Sequence, residues 1–411
     1  MLELQSHIVS QVEYASTPAP QDMGRIRPTS MDKCRVCFPF AGGLIGGSHI
    51  SALQLIQGLN HTQFEPVVLL HSLDGPLPDF LANAGIAFER APIPRYWQAG
   101  HVALRDLPTM PADIARMRAY LRAHKIKIVH TNEGAMHATW GMPARLAGAR
   151  HIWHHRGNPR AAGLRLLAPL VADRVICVSN FASPPQGFWS ARGKSTVAYS
   201  PFDTAIAHVD RKSARSTAEA SLGIAPDTAV ISFLGHFSTR KRPLIFVETI
   251  AAMRRARPDR PIVGLMFGEE HEAGIEARIR QHIQELGVAD CVRMMGFLQP
   301  VEPWLAASDV LLVPAVEEPF GRTVIEAMLV GTPVVAAASG GNIEAIRNRG
   351  TGLLAHPDDP DDLADHVLGV IDDPRMAMTI AHRARQEALQ KFSVEAHVNK
   401  IARIYREALA I

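Results

Sequence analysis

Between Ser308 and Ala338 the chain reads as two short, mainly apolar runs with a helix between them, and that pattern restricts the sheet it can build. The runs Ser308 to Ala315 (SDVLLVPA) and Thr332 to Ala338 do not alternate apolar with polar residues. They therefore predict strands buried on both faces, as in a parallel sheet covered by helices. Arg322 to Val330 predicts the covering helix, with Ile325, Met328 and Leu329 on its apolar side. In such a strand, loop, helix, strand unit the loop lies beyond the carboxyl end of the strand, where parallel sheets bind ligands.

That loop and the helix behind it carry Glu318-Pro319-Phe320-Gly321-Arg322-Thr323-Val324-Ile325-Glu326, two carboxylates with seven residues between them. An ionised carboxylate only accepts hydrogen bonds and takes bidentate bonds from vicinal diols, so the pair suits recognition of ribose or hexose hydroxyls. A lone glutamate is more often a solvated surface charge. Here Pro319-Phe320-Gly321 brings backbone amides to the same edge, and Ser339-Gly340-Gly341-Asn342 adds a glycine-rich turn after the next strand.

The alternation holds along most of the chain. Strands are expected at Cys34 to Phe40, Glu65 to His71, Ile86 to Glu89, Ile126 to His130, His151 to His155 and Arg174 to Val178, then at Ala229 to Leu234, Ile262 to Phe267, Val292 to Gly296, Val310 to Pro314, Val334 to Ala338 and Leu353 to His356. Helical patterns between them imply α/β architecture with two doubly wound sheets, and the length favours two domains. The expected divisions are a mobile extension over 1–30, a first domain over 31–205, a second over 206–390, and a final amphipathic helix in 391–411.

Two further loops sit at strand ends. Ala41-Gly42-Gly43-Leu44-Ile45-Gly46-Gly47 joins the first strand to a helix; glycines let a phosphate approach the backbone, and free helix N-terminal amides favour an anion. A tight turn demanded by packing explains the same residues. Gly235-His236-Phe237-Ser238-Thr239-Arg240-Lys241-Arg242-Pro243 places three consecutive cations at a helix start, where they oppose the helix dipole unless an anion such as a diphosphate joins them. His154 and His155 end another strand on opposite faces, so they cannot both ligate one metal from the strand. Ser179-Asn180 is expected to cap a helix, and Tyr96, Trp97 and His101, as exposed groups of the loop at 92–108, suit an acceptor site, a lid or plain packing equally well.

These motifs closely resemble the retaining glycosyltransferases of family 4, whose signature is Glu, seven residues, Glu before an apolar helix and a Gly-Thr-Pro-Val-Val strand, here Gly331 to Val335. The resemblance spans about residues 34 to 409 and is strongest between 229 and 357. It implies the GT-B fold, with the final helix crossing back onto the first domain. It implies a nucleotide-diphosphate sugar as donor, UDP- or GDP-linked, and a glycan or glycolipid acceptor. By the same resemblance Lys241, Glu318 and His155 would be catalytic, with His154 the near alternative to His155. Glu318 would hold the donor sugar's hydroxyls and Glu326 the ribose. Gly43, Gly46, Gly47, Arg240, Arg242, Phe320, Gly321, Arg322 and Thr323 would line the nucleotide sugar. The family's phosphate-binding Arg is replaced by His236, which leaves Arg240 or Arg242 to supply that charge.

Composition narrows the class. No apolar stretch reaches membrane-spanning length, the first thirty residues lack a secretory pattern, and a cytoplasmic hexosyltransferase-type enzyme is expected. Residues 1–200 hold 20 Lys and Arg against 12 Asp and Glu, a net +8, so the first half suits phosphate-bearing ligands or peripheral contact with an anionic membrane. No aromatic interleaving supports nucleic-acid binding. Cys34-Arg35-Val36-Cys37 lies within a strand without a second ligand pair, and Asp359-Pro360-Asp361 reads as a helix cap, so no metal is expected. No nucleophile stands out, which favours same-face attack with retention and activity in EDTA. The competing readings are a nucleotide-sugar epimerase or hydrolase on the same scaffold, a catalytically silent binding subunit, and a dinucleotide oxidoreductase, whose spaced glycine fingerprint is missing.

Overall fold

The computed structural model describes residues 33–43, 45–97 and 108–410. The expected extension over 1–30, together with Leu44 and His101, lies outside the described residues.

The first sheet holds β1 (Cys34–Phe40), β2 (Phe64–Leu70), β3 (Phe88–Arg90), β4 (Ile128–Thr131), β5 (Arg150–His155), β6 (Arg174–Cys177) and β7 (Ser195–Val197), in the spatial order β3-β2-β1-β4-β5-β6-β7. The second holds β8 (Ala229–Leu234), β9 (Ile262–Phe267), β10 (Val292–Gly296), β11 (Val310–Val313), β12 (Val334–Ala337) and β13 (Leu353–Ala355), in the order β10-β9-β8-β11-β12-β13. Every pairing in both is parallel. The central strands β1, β8 and β11 are almost wholly buried, as uninterrupted apolar runs require. In each sheet the order reverses beside the first strand, at β1/β4 and at β8/β11. Each reversal opens a crevice beyond the strands' carboxyl ends.

The chain crosses between the sheets near Tyr199 to Phe202, where the Phe202 amide donates to the Phe392 carbonyl at 2.9 Å. Tyr199, Phe202, Phe320 and Phe392 form one aromatic cluster at this crossing, with ring centroids 5.4 to 6.4 Å apart. The last helix, Val394–Leu409, is capped by Ser393, whose hydroxyl accepts from the Ala396 amide at 3.2 Å. It lays Val398, Ile401, Ile404 and Tyr405 against Val36, Phe38 and Phe64 of the first sheet. Each such buried side chain contributes roughly 1.5–3 kcal/mol, enough to hold a terminal helix in place.

Several local expectations are corrected. Trp97 is not an exposed loop aromatic: its ring packs with Met117 and Trp140, and its amide donates to Thr139 Oγ1 at 2.8 Å. Ser179 accepts from the Ala182 amide at 2.9 Å, but the turn it caps never extends into a helix. The strand Ser195–Val197 went unforeseen because three half-buried residues carry no periodic signal. Asp359 accepts from the amides of Asp361 and Asp362 at the start of the helix Pro360–Asp372, which is the capping role its sequence indicated.

Candidate active site

Because β8 and β11 are neighbours, the loops at their carboxyl ends lie side by side. Glu318, from the loop after β11, accepts from Lys241 Nζ at 2.9 Å on the same oxygen that pairs with the Arg240 guanidinium. Lys241 lies across Gly235, whose missing side chain leaves its stem 3.4 Å from where a Cβ would stand. Glu318 is 12 % exposed. Burial by itself would raise its pKa, but the Lys241 ammonium and the Arg240 guanidinium outweigh that and hold it below the usual carboxylate range. Glu318 is therefore an ionised acceptor flanked by two cations at a strand end.

The glycine turn after β12 builds the floor beneath it. Gly341 donates its amide to the Glu318 carbonyl at 2.6 Å, and a Cβ on Gly341 would stand 2.8 Å from Phe320 Cα. Gly340, at φ +57°, leaves no more room: its Cβ would meet the Glu318 amide at 2.6 Å. This second turn sets the position of the Glu318 backbone.

Glu326 sits one helical turn beyond Arg322 and pairs with its Nε at 3.7 Å, too long for a hydrogen bond. Burial raises the Glu326 pKa, partly countered by Arg322. Arg322 itself reaches the first half of the chain: its Nη1 donates to Ser51 Oγ at 3.2 Å and to the Pro201 carbonyl at 3.4 Å, and its guanidinium lies 4.3 Å above the Phe202 ring. Gly47 gives it passage, since a Cβ there would press on Arg322 Cδ at 3.0 Å. Gly46 and Gly47 thus begin the helix Gly47–Gly58 directly opposite the start of the helix Arg322–Val330, with Thr323 half-buried in the latter's first turn. Gly321 begins that helix in the left-handed region at φ +79°.

Arg242 turns away to the Pro357 carbonyl at 2.5 Å and to Asp358 at 2.6 Å. Phe320 is buried in the aromatic cluster at the crossing. His155 is buried with its Nε2 3.0 Å from the Asn158 carbonyl, and burial lowers its pKa. His154 points to the opposite face, 3.1 Å from His130. His236 lies beside His271, its ring tilted by 34° with centroids 5.4 Å apart. A Cβ on Gly43 would meet open space.

The support of the first glycine loop carries no local signal in the sequence. Glu133, at the start of the helix after β4, accepts from the Ala41 amide at 2.9 Å and pairs with His49, whose Nδ1 accepts from the Gly46 amide at 3.0 Å. Ties across the crevice were also hidden: Ser179 Oγ donates to the Pro319 carbonyl at 2.5 Å, and Glu344 accepts from the amides of Asn180 and Phe181 at 2.8 and 2.7 Å.

Residues 228–373, which contain the Lys241, Glu318 and Glu326 loops, match the family model described as glycosyl transferases group 1, and residues 46–183 match that of the glycosyl transferase 4-like domain. Over these two segments the chain is similar to glycosyltransferases of group 1. Among curated relatives, D-inositol 3-phosphate glycosyltransferase of Saccharomonospora viridis is 34 % identical over 207 residues, covering 49 % of this chain and 48 % of that protein. The enzyme of that name from Corynebacterium urealyticum is 27 % identical over 326 residues, covering 76 % and 70 %. The chain spans about half the length of several of the curated relatives it matches. Among solved structures, Anabaena HepE in complex with UDP and glucose superposes with a TM-score of 0.74 at 22 % identity, covering 90 % of this chain and 99 % of HepE. A glycosyltransferase from Rickettsia africae gives 0.78 at 18 % identity, covering 92 % and 99 %. These likenesses show the fold, the two-sheet GT-B arrangement expected of a group 1 glycosyltransferase.

Proposed function

We propose that this chain is a retaining glycosyltransferase that moves a sugar from a nucleotide-diphosphate sugar to an acceptor hydroxyl, in the synthesis of a glycan or glycolipid. The observation that carries the reading is Glu318, an ionised acceptor held between Lys241 and Arg240 at the carboxyl ends of adjacent strands. A donor has two chemical needs, acceptors for its hydroxyls and cations for its diphosphate, and this arrangement meets both.

In the proposed mechanism the diphosphate enters between Lys241, Arg240 and the amides at the starts of the helices Gly47–Gly58 and Arg322–Val330. Fixed positive charge there stabilises the negative charge that builds on the leaving group. Glu326 takes the ribose diol and Glu318 the sugar hydroxyls. The acceptor oxygen attacks from the face the diphosphate leaves, and the departing phosphate oxygen takes its proton. The new glycosidic bond forms as the sugar-phosphate bond breaks, with retention and no covalent sugar on the protein. HepE was solved with UDP-glucose, which supports UDP as the donor's nucleotide over GDP. A cytoplasmic site of action, with peripheral membrane contact through the basic first half, belongs to the same reading.

The test is release of free UDP from labelled UDP-sugars by the whole chain, with and without candidate acceptors, followed by NMR of the product's anomeric proton. Acceptor-dependent release with retained configuration, abolished by Lys241→Ala, is expected. An inverted product, a trapped glycosyl-protein adduct, or an unaffected Lys241→Ala variant would each overturn it.

A further inference from the structure

Arg156, the residue after β5, carries a charge that no acid of the chain answers. It is half-buried at the adjacent carboxyl ends of β4 and β5, on the ligand edge of the first sheet. Its Nη1 donates to Ser200 Oγ at 3.1 Å, and its Nη2 to Asn132 Oδ1 at 3.3 Å and His154 Nδ1 at 3.4 Å. All three acceptors are neutral, and among the described residues no carboxylate pairs with Arg156. Burial, together with the like charge of Arg322, pushes its pKa down to about 9. A guanidinium held in this way is costly unless an anion joins it.

Donors without an acceptor surround it. Asn132 is 3 % exposed; its Oδ1 is taken by Arg156, and its Nδ2 has no partner among the described residues. Arg156 Nε has none either. Because a guanidinium only donates, His154 Nδ1 must accept from it, which puts the His154 proton on Nε2. That Nε2 is buried and unpartnered as well. A purely structural tie from β5 to the crossing at Ser200 would need only the Nη bonds of Arg156. It does not account for Arg156 Nε or Asn132 Nδ2, since buried donors are ordinarily matched.

We propose that Arg156 and Asn132 hold a phosphate monoester carried by the acceptor. A monoester dianion supplies the missing negative charge and presents three free oxygens, enough for the guanidinium and the amide together. The inference rests on the transferase reading, because it gives this anion to the acceptor on the ground that the donor's diphosphate already has its cations. Those cations, Lys241 and Arg240, stand at the edge of the second sheet, whereas Arg156 and Asn132 end strands of the first. The two anions would thus be held from opposite sheets, with the acceptor's phosphate fixing how its hydroxyl is offered to the sugar.

The experiment is thermal melting of the whole chain, saturated with UDP, against inorganic phosphate and glucose 6-phosphate at fixed ionic strength. Both should raise the melting temperature of wild type although the donor site is filled. Arg156→Gln should weaken the apparent affinity for each about tenfold or more, Asn132→Ala should weaken it by a smaller factor, and Arg156→Lys should keep part of it. UDP titration of each variant reads the donor site separately and should not change. A merely structural tie would lower the melting temperature without phosphate and preserve the phosphate dependence in Arg156→Gln, which overturns the proposal. So does a wild type that ignores phosphate, a response that UDP abolishes, or dimethyl phosphate, a diester, acting as strongly as the monoester. A chain that binds phosphate through Arg156 but never binds UDP would keep the site, sink the transferase reading and overturn the assignment to an acceptor.

Discussion

Glu318 Oε2 stands 2.9 Å from Lys241 Nζ, although 77 positions separate the two residues in the chain. With Arg240 on the same oxygen, this carboxylate pairs with both of the cations proposed to receive a diphosphate. A diphosphate must then compete with Glu318 for Lys241 and Arg240. Glu318→Gln is expected to bind UDP about tenfold more tightly, since an amide cannot compete as a charge, while transfer falls about a hundredfold with the loss of sugar contacts. Calorimetric titration with UDP, beside turnover of the UDP-sugar, checks both directions. Weaker UDP binding would show that the carboxylate assists the nucleotide.

Glu326 predicts opposite effects on stability and binding. Burial raises its pKa, so its ionised form is disfavoured in the folded chain. A carboxyl raised on folding contributes stability at acidic pH, and that contribution is lost as pH rises through the raised value. Glu326→Gln should therefore melt above wild type at neutral pH. The gap should close as pH falls into the ordinary carboxylate range. UDP affinity should drop about tenfold to a hundredfold with the lost ribose bonds. Melting curves against pH, paired with UDP titration, read both. A variant less stable than wild type at neutral pH would show that the charge on Glu326 is needed by Arg322.

Gly341 tests whether the second glycine turn acts through Glu318. Its Cβ would strike Phe320 and the Pro319 carbonyl, 2.8 and 2.9 Å away, so Gly341→Ala must push the Glu318 loop outward. A displacement of that size should reduce kcat/KM about ten- to a hundredfold. Ala beside an open position, as in Gly369→Ala on the helix Pro360–Asp372, should not. Steady-state kinetics of the two variants separates the site from general tolerance.

The histidines beneath the last helix predict acid sensitivity. His130 lies 2.5 Å from the Tyr405 hydroxyl and 3.1 Å from His154, and the rings of His154 and His397 stack at 5.8 Å. His397 also reaches the Tyr199 carbonyl at 2.6 Å. Burial, reinforced by the charge of Arg156, drives His130 and His154 well below their ordinary value and His397 down to about 3. All three are neutral in the folded chain and take up protons once unfolded. Stability should thus be full above about pH 6.5 and be lost as pH falls from there toward the lowered values, by up to about 1.4 kcal/mol per pH unit for each histidine. Melting temperature between about pH 7.5 and pH 5 measures the slope, and His397→Asn should flatten it. A flat wild-type profile would mean these rings take up protons in the fold as readily as in the unfolded chain.

The sequence by itself determined the parallel sheets, the positions of their ligand-edge loops, and the two glutamates and basic run those loops carry. Each is written in local pattern: uninterrupted apolar runs, glycine-rich turns, and fixed spacings within nine residues. The cap at Asp359 was legible for the same reason, because its acceptors and donors are adjacent in the chain.

Only the tertiary structure decided which of those groups meet. Strand order places β8 beside β11 and so joins Lys241 to Glu318, while Arg242, next in sequence, faces Asp358 because its left-handed backbone at φ +55° turns it aside. The same holds for Glu133 under the first glycine loop, for Arg322 reaching Ser51, and for Trp97, drawn inward by the pocket around Trp140. Contacts between residues far apart in the chain leave no period in the sequence. They follow from the order in which parallel strands assemble, which is why the residues were readable and their partners were not.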